Sequence, residues 1–185
     1  MAEHPTITVA LLRGINVGGN NKVPMRELAA LFADLGATRV KTYIQSGNVV
    51  FKAPPSNGHP LAPLLSAAIA ERFGCRVPVV LRTAEEMHAI LQSNPFASED
   101  PKHLHAMFLS EEPVPAAVAA LDPHRSSPDR FVVRGREIFL FCPNGLGQTK
   151  LTNDWFDRRL GVVSTARNWR TMTTLSRLAE EVAAG

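Results

Sequence analysis

A loop rich in glycine and asparagine follows the first apolar segment and carries two cations. Residues 12–22 read LRGINVGGNNK. Glycine lets backbone N–H groups turn towards a bound group, and a helix that starts after the loop adds partial positive charge. The pattern predicts an anion-binding loop in which Arg13, Asn16 and Lys22 contact the ligand. Its spacing matches neither the dinucleotide fingerprint nor the nucleoside-triphosphate phosphate loop, and a glycine-rich turn held by asparagine side chains is the alternative.

A second polar motif separates two segments of strand character. Residues 43–48 read YIQSGN, and Gln45 and Asn48 are its predicted ligand-binding side chains. Ser46 offers a hydroxyl, but no neighbouring histidine or acid is placed to activate it as a nucleophile. A plain hairpin turn is the alternative. The strand lacks the exposed aromatic pair on which RNA-recognition domains stack bases.

Two further motifs lie in the second half of the chain. Residues 143–152, PNGLGQTKLT, join a predicted strand to a helix start and contain Lys150. Residues 167–171, RNWRT, place Arg167, Asn168 and Arg170 around a tryptophan, a set suited to a phosphate or a base. In the alternative reading, the tryptophan belongs to the core and Thr171 caps the last helix.

Metal and acid–base chemistry have little support in the sequence. His103 and His105 alternate as two ligands on one strand face would, but no third ligand is near and no zinc motif occurs. No pair of carboxylates has the spacing of a general acid and base. We therefore predict no metal and no cofactor.

The net charge of +3 over 185 residues comes from the first half of the chain. Between Glu3 and Glu71 the only acidic residues are Glu27 and Asp34, against six lysines and arginines. This excess would attract anions, but it is smaller than a dedicated DNA-binding protein needs.

The cysteines and the N-terminus predict the compartment. Cys75 and Cys142 lie beside apolar strand patterns, which is typical of small buried side chains rather than of a disulfide. Residues 1–5 have no basic segment, and the apolar run at 7–12 is too short for a signal core or a membrane span. We expect a cytoplasmic protein without membrane association. Its oligomeric state is left open.

Hydrophobic periodicity predicts the order βαββαβ twice, each time followed by one more helix. Predicted strands lie at residues 7–12, 39–45, 48–52 and 77–81 in the first half, and at 105–109, 131–141 (a hairpin) and 162–167 in the second. Thr83 with Glu86 forms a capping box, and Thr152 and Gly161 bound another helix.

This order predicts an α+β fold with two ferredoxin-like subdomains, each with an antiparallel sheet. An old duplication would leave such a repeat, although convergent packing could produce the same order. The predicted division is an N-terminal subdomain with its following helix at 1–94, a proline-containing linker at 95–102, and a C-terminal subdomain with the final helix at 103–185.

Four motifs together resemble the bacterial family catalogued as domain of unknown function 1697. They are LLRGINVGGNNKVPM, TYIQSGNVVF, GLGQTKLT and ARNWRTM, and they follow the family's order over nearly the whole chain. The resemblance implies a cytoplasmic α+β protein with ferredoxin-like subdomains and no established activity.

The function expected from these motifs is binding of a phosphorylated small molecule, a nucleotide or another polyanion. The predicted site is an interdomain cleft lined by the four loops, with catalysis unassigned. A nucleic-acid-binding module that uses the same cations is one alternative. An interaction scaffold without a ligand is another.

Overall fold

A computed structural model describes residues 6–54 and 60–185 of the chain. The expectation drawn from residues 1–5, that no export signal is present, lies outside the described residues. The chain divides into two compact units, one made of residues 1–88 with 174–185 and one made of residues 89–173. Each unit contains one four-stranded sheet.

The first unit has the predicted βαββαβ order. Its elements are β1 (Ile7–Leu12), α1 (Met25–Asp34), β2 (Thr38–Tyr43), β3 (Asn48–Lys52), α2 (Leu61–Phe73) and β4 (Val79–Thr83), followed by α3 (Ala84–Gln92). The strands lie in the order β2-β3-β1-β4, and each neighbouring pair is antiparallel. The first strand is therefore central.

The second unit repeats this arrangement. Its elements are β5 (Leu104–Leu109), α4 (Pro115–Ala119), β6 (Arg130–Arg134), β7 (Glu137–Phe141), α5 (Asn153–Leu160) and β8 (Ser164–Asn168), followed by α6 (Trp169–Ala184). The strand order is β6-β7-β5-β8, again antiparallel throughout. The predicted α+β fold with two similar ferredoxin-like halves is confirmed.

A buried arginine near the end of the fourth strand occurs at the same place in both halves. Arg82 pairs with Val9 of the first strand, and Arg167 pairs with Ala106 at the matching position. Arg82 is 1% exposed and Arg167 is 8% exposed. Each guanidinium donates a hydrogen bond of 2.7 Å to the carbonyl of the residue before it. This shared detail goes beyond element order and supports the duplication.

The core of each unit lies between its sheet and its helices. In the first unit, the rings of Phe32 and Phe51 meet edge to face with centroids 5.0 Å apart. In the second, Phe131 packs against Phe156 at 5.3 Å. The opposite sheet faces are buried too, as the full burial of Val9 shows. Burial on both faces explains why the central strands read as continuous apolar runs rather than as alternating patterns.

Several boundaries differ from the sequence-based prediction. Strand β4 begins at Val79 rather than at residue 77, because Pro78 has no N–H to donate to a ladder. Strand β8 begins at Ser164 rather than at residue 162. The last helix was assigned entirely to the C-terminal subdomain, whereas its residues from Thr174 onwards group with the first unit.

The C-terminal part of α6 contacts the edge strand β2 of the first unit. Arg39 donates a hydrogen bond of 3.0 Å to the carbonyl of Val182, and Lys41 pairs with Glu181 at 3.2 Å. Such contacts cover an edge strand that would otherwise be open to pairing with another chain. Within the described residues, no helix is both long and apolar enough to cross a membrane.

The capping box at the start of α3 allows a test of local stability. Glu86 N–H donates to the Thr83 hydroxyl at 3.1 Å, and Thr83 N–H donates to the Glu86 carboxylate at 2.8 Å. We expect Thr83→Ala to lower the free energy of unfolding by about 1 kcal/mol, because one helix N–H loses its partner. Thr83→Ser keeps the hydroxyl and should stay close to wild type. Urea denaturation followed by circular dichroism measures both, and equal stability of Thr83→Ala and wild type would contradict the expectation.

Candidate functional site

A cavity of about 340 Å³ lies at one edge of the sheet in the second unit. Its walls are the connection from α4 to β6 and the connection from β7 to α5. These connections meet because Arg130, the first residue of β6, pairs with Phe141, the last residue of β7. The first connection contributes His124, Arg125 and Asp129 to the lining, and the second contributes Asn144, Gln148 and Lys150.

The hydroxyl of Ser126 joins the two walls of this cavity. It accepts a hydrogen bond of 2.9 Å from the Lys150 N–H and one of 3.3 Å from the Thr149 hydroxyl. It donates its own proton to the buried carboxylate of Asp129 at 2.6 Å. Ser126 is therefore a structural link between the loops, and its hydroxyl is engaged in holding them together.

The cations of the cavity are partly held in place by neighbouring groups. The Arg125 guanidinium lies 5.8 Å from the centre of the nearly buried Trp155 ring, within range of a cation–π interaction. The backbone N–H of His124 donates to the Asp122 carboxylate at 2.9 Å, and this hydrogen bond shapes the turn that carries the Arg125 and His124 side chains. Lys150 is exposed, and its backbone is fixed by Ser126. Fixed cations bind an anion at a smaller entropic cost than mobile ones.

The cysteine next to this cavity is structural. Cys142 is fully buried at the end of β7. Burial, helped by the nearby Asp129 carboxylate, raises the pKa of its thiol to about 11. Because the thiolate is the reactive form, Cys142 is a poor nucleophile at neutral pH. The cavity thus offers binding groups rather than an activated nucleophile.

Sequence reasoning predicted Lys150 as a ligand-binding residue but did not point to the wall that faces it. Residues 124–129, HRSSPD, contain two groups that can carry positive charge and two hydroxyls within six positions. That composition was the available signal. It lacks glycine and does not follow a strand, so it does not resemble a phosphate-binding loop.

The predicted anion loop of the first unit is held by its own asparagines. The Asn16 side chain donates to the Val23 carbonyl at 2.9 Å and accepts from the Val23 N–H at 2.9 Å. The Asn21 side chain donates to the Gly14 carbonyl at 3.0 Å. Both asparagines have positive φ, 55° and 47°, which asparagine tolerates better than most residues. These contacts support the alternative of a turn tied by asparagine side chains.

The loop and the β2–β3 hairpin share one edge of the sheet, because β1 and β2 are both antiparallel to β3 and so run in the same direction. The Asn16 amide also donates to the Gln45 carbonyl at 2.8 Å, and the Leu12 N–H donates to the Gly47 carbonyl at 2.8 Å. With both amide hydrogens engaged, Asn16 positions the two loops rather than presenting donors to a ligand. Gln45 is exposed at the tip of the hairpin.

Asn48, a predicted ligand-binding residue, is enclosed in the fold, and its role at a site stays a prediction. It is 0% exposed, and its amide donates to the Tyr43 carbonyl at 3.1 Å and to the Ser46 hydroxyl at 3.0 Å. The polar residues of a tight hairpin often satisfy the turn's own backbone groups, and Asn48 does so here. The roles of Arg13, which is half-buried, and of the exposed Lys22 stay predictions.

The RNWRT motif is split between the core and the surface. Arg167 is buried, and burial lowers the pKa of its guanidinium to about 10, so that it still carries its charge at neutral pH. It donates to the Thr165 hydroxyl at 2.9 Å. Arg167 is thus enclosed within the second unit, and its contact with a ligand stays a prediction. Arg170 is exposed.

Asn168 is the cap of the last helix. Its side-chain oxygen accepts a hydrogen bond of 2.8 Å from the Thr171 N–H, so the helix begins at Trp169 rather than after Thr171. The tryptophan is half-buried. The alternative in which Thr171 caps the last helix needs correction, since Thr171 receives the cap and does not provide it. As a capping residue, Asn168 uses its acceptor within the fold.

The polar motifs of the second unit lie at the same edge of its sheet. Strand β7 ends at Phe141 opposite Leu104, and β8 ends at Asn168 opposite His105, on either side of β5. Because β5 lies between them, β7 and β8 are roughly 10 Å from each other, which is twice the usual spacing of neighbouring strands. In the first unit, the polar loops lie at the other edge, where β1 ends. The two halves therefore use opposite edges of equivalent sheets, and the single cleft expected for all four motifs stays a prediction.

The two histidines considered for metal binding differ in environment. His105 is buried, and its ring nitrogen lies 3.3 Å from the His103 carbonyl. Across the described parts of the chain, no group of three or more histidine, cysteine, aspartate or glutamate side chains is arranged to hold a metal ion. Burial lowers the pKa of His105, because a charged imidazole would lose its hydration.

The contact between loop and hairpin predicts a large penalty at Gly47. A Cβ added there would lie 2.7 Å from the Leu12 Cβ and 2.9 Å from the Ile15 Cδ1, and φ is +77°. Gly135, in the equivalent hairpin turn of the second unit, has φ +55° but no atom within 4 Å of an added Cβ. Both alanine variants should pay about 1–2 kcal/mol for the left-handed backbone, and Gly47→Ala should lose at least about 1 kcal/mol more from the clash. Equal losses of thermal stability in the two variants would contradict this packing.

The buried His105 predicts a stability loss in mild acid. Its pKa is lower in the folded state than the ordinary value of about 6.5, so the unfolded state binds the proton more readily. The contribution to stability is complete above about pH 6.5 and is lost as the pH falls through the lowered folded-state pKa. We expect His105→Gln to reduce the difference in unfolding free energy between pH 7.5 and pH 5.5, measured by urea denaturation. An unchanged difference would show that His105 does not cause it.

Comparisons with known proteins agree with this fold and name a family. The structure is similar to that of a conserved bacterial protein from Streptococcus pneumoniae, with a TM-score of 0.74 and 27% sequence identity over 95% of this chain and 99% of the other. No curated protein matches the sequence. A family model described as protein of unknown function (DUF1697) matches residues 6–139. That match covers more than half of the chain and includes both motifs of the first unit, so this chain belongs to the DUF1697 family.

Proposed function

We propose that this protein binds a phosphorylated small molecule, with the cavity of the second unit as its phosphate site. The observation that carries the proposal is the placement of Arg125, Lys150 and His124 around one recess of about 340 Å³. Positive side chains and backbone-fixed loops are the usual means of holding a phosphate. The volume falls within the range of small-molecule sites.

The link through Ser126 also supports binding rather than chance proximity. Because one hydroxyl contacts both walls, the backbone at Lys150 is held against the loop that carries Arg125. A site arranged in this way before binding gains affinity, since less conformational entropy is lost when the ligand arrives. The proposal assigns no catalytic step.

The loop of the first unit is a second candidate for anion contact. Lys22 is exposed next to a loop whose backbone is already ordered by Asn16 and Asn21. The cytoplasm of a bacterium is the proposed location. It is supported by the free thiols of Cys75 and Cys142 and by the similarity to a bacterial protein.

Ligand-induced stabilisation tests the proposed phosphate site. We expect inorganic phosphate or a phosphorylated metabolite to raise the melting temperature of the wild-type protein, and a ligand at a hundred times its dissociation constant adds about 2.7 kcal/mol. Lys150→Ala should weaken binding at least about tenfold, because a charge-assisted hydrogen bond is lost. Lys102→Ala is the matched control, since this exposed lysine pairs with Asp100 outside the cavity lining and should leave binding unchanged. Equal losses in both variants would contradict the site.

The same titrations separate the alternative functions. Lys22→Ala tests the loop of the first unit, and a loss of binding confined to that variant would move the site there. Binding of polynucleotides with a steep dependence on salt would favour a nucleic-acid-binding module. A protein that responds to no phosphorylated ligand and to no nucleic acid would fit an interaction scaffold.

A further inference from the structure

The cavity has an unusual lining for a nucleotide site. Nucleobases are commonly bound by stacking on aromatic or apolar side chains. Among the residues that line this cavity, the only aromatic ring is the His124 imidazole and the only apolar side chain is Pro128. Trp155 stands behind Arg125 and is itself nearly buried, so its ring face is already used. The lining therefore favours a ligand without a base.

The charges in the lining set the charge of the ligand. Arg125 and Lys150 contribute two positive charges, and the Asp129 carboxylate removes one of them. A phosphate monoester carries about −1.5 to −2 at neutral pH, which one net positive charge and a histidine can accommodate. A diphosphate or triphosphate would bring further negative charge close to Asp129, where like charges repel.

The remaining lining groups bind hydroxyls well. Asn144 and Gln148 each offer a carboxamide that both donates and accepts, and Ser127 adds a hydroxyl. Asp129 only accepts, so a ligand that meets it must bring donors. Besides the Ser126 hydroxyl, the Asp129 carboxylate can accept a hydrogen bond from a ligand that carries hydroxyl groups together with its phosphate. Sugars and polyols have this combination.

We propose that the ligand of this cavity is a sugar or polyol monophosphate rather than a nucleotide, an inference that rests on the proposed phosphate site. Lys150 and Arg125 hold the phosphate. Asn144 and Gln148 contact hydroxyls of the sugar. The volume of about 340 Å³ is at the lower end of small-molecule sites and suits a ligand of this size.

Calorimetric titration with matched ligands tests the inference. The probes are glucose 6-phosphate, ribose 5-phosphate, AMP, inorganic phosphate and unphosphorylated glucose. We expect at least one sugar phosphate to bind about tenfold or more tightly than AMP and inorganic phosphate, and glucose to bind far more weakly. AMP binding as tightly as the sugar phosphates overturns the inference while leaving the phosphate site in place. Failure of every phosphorylated probe overturns both.

Two variants separate the phosphate contacts from the hydroxyl contacts. Gln148→Ala should weaken the sugar phosphate about five- to tenfold and leave inorganic phosphate unchanged, because only a hydroxyl contact is lost. Lys150→Gln should weaken both probes. Gln92→Ala, an exposed glutamine of α3 outside the cavity lining, is the matched control and should bind as wild type does. An unchanged affinity of Gln148→Ala for the sugar phosphate, with a wild-type melting temperature, overturns the assigned hydroxyl contact.

Discussion

In each half of this protein, the first strand lies between the third and the fourth and runs antiparallel to both. This pairing determines which loops can meet. The loop after the first strand and the hairpin between the second and third strands share one edge of the sheet. The connection that enters the second strand and the connection that leaves the third strand share the other edge. Within its unit, each polar motif can therefore contact only the loops that lie at the same edge of the sheet.

The duplicated scaffold uses its two edges differently. In the first unit, the polar groups gather where β1 ends, and Asn16 ties them together. In the second, they gather where β7 ends, and Ser126 ties them together. The contacts of Asn16 engage both of its amide hydrogens, whereas the contacts of Ser126 leave Lys150 in the lining of a cavity. The better candidate for a ligand site follows from this difference.

The buried arginines show what the halves kept in common. Arg82 and Arg167 occupy the same register position, and the next residue of each strand caps a helix, Thr83 in one half and Asn168 in the other. A buried charge is costly unless hydrogen bonds satisfy it, and each guanidinium donates to neighbouring backbone. Because both halves repeat these hydrogen bonds, the end of the fourth strand has a structural role in each half. Arg167 and Asn168 therefore have structural roles, and their contact with a ligand stays a prediction.

The sequence alone determined the features that depend on near neighbours along the chain. The strand and helix order follows from apolar periodicity, and the helix ends at Thr83, Thr152 and Gly161 follow from capping chemistry. Strand direction then placed the β1 loop beside the hairpin, as the contact between Asn16 and Gln45 shows. Lys150 is predicted as a ligand-binding residue because it lies in a loop of suitable composition.

Burial and long-range pairing were decided only by the tertiary structure. Asn48 and Arg167 have the residue types of a binding site, but their positions in the sheets enclose them, and no local pattern records that enclosure. Residues 124–129 form a wall of the cavity because Ser126 contacts Lys150, which lies 24 positions further along the chain. The sequence gives the chemistry of each side chain directly. Exposure and proximity depend on residues that are far apart in the sequence, because packing brings those residues together only in the folded chain.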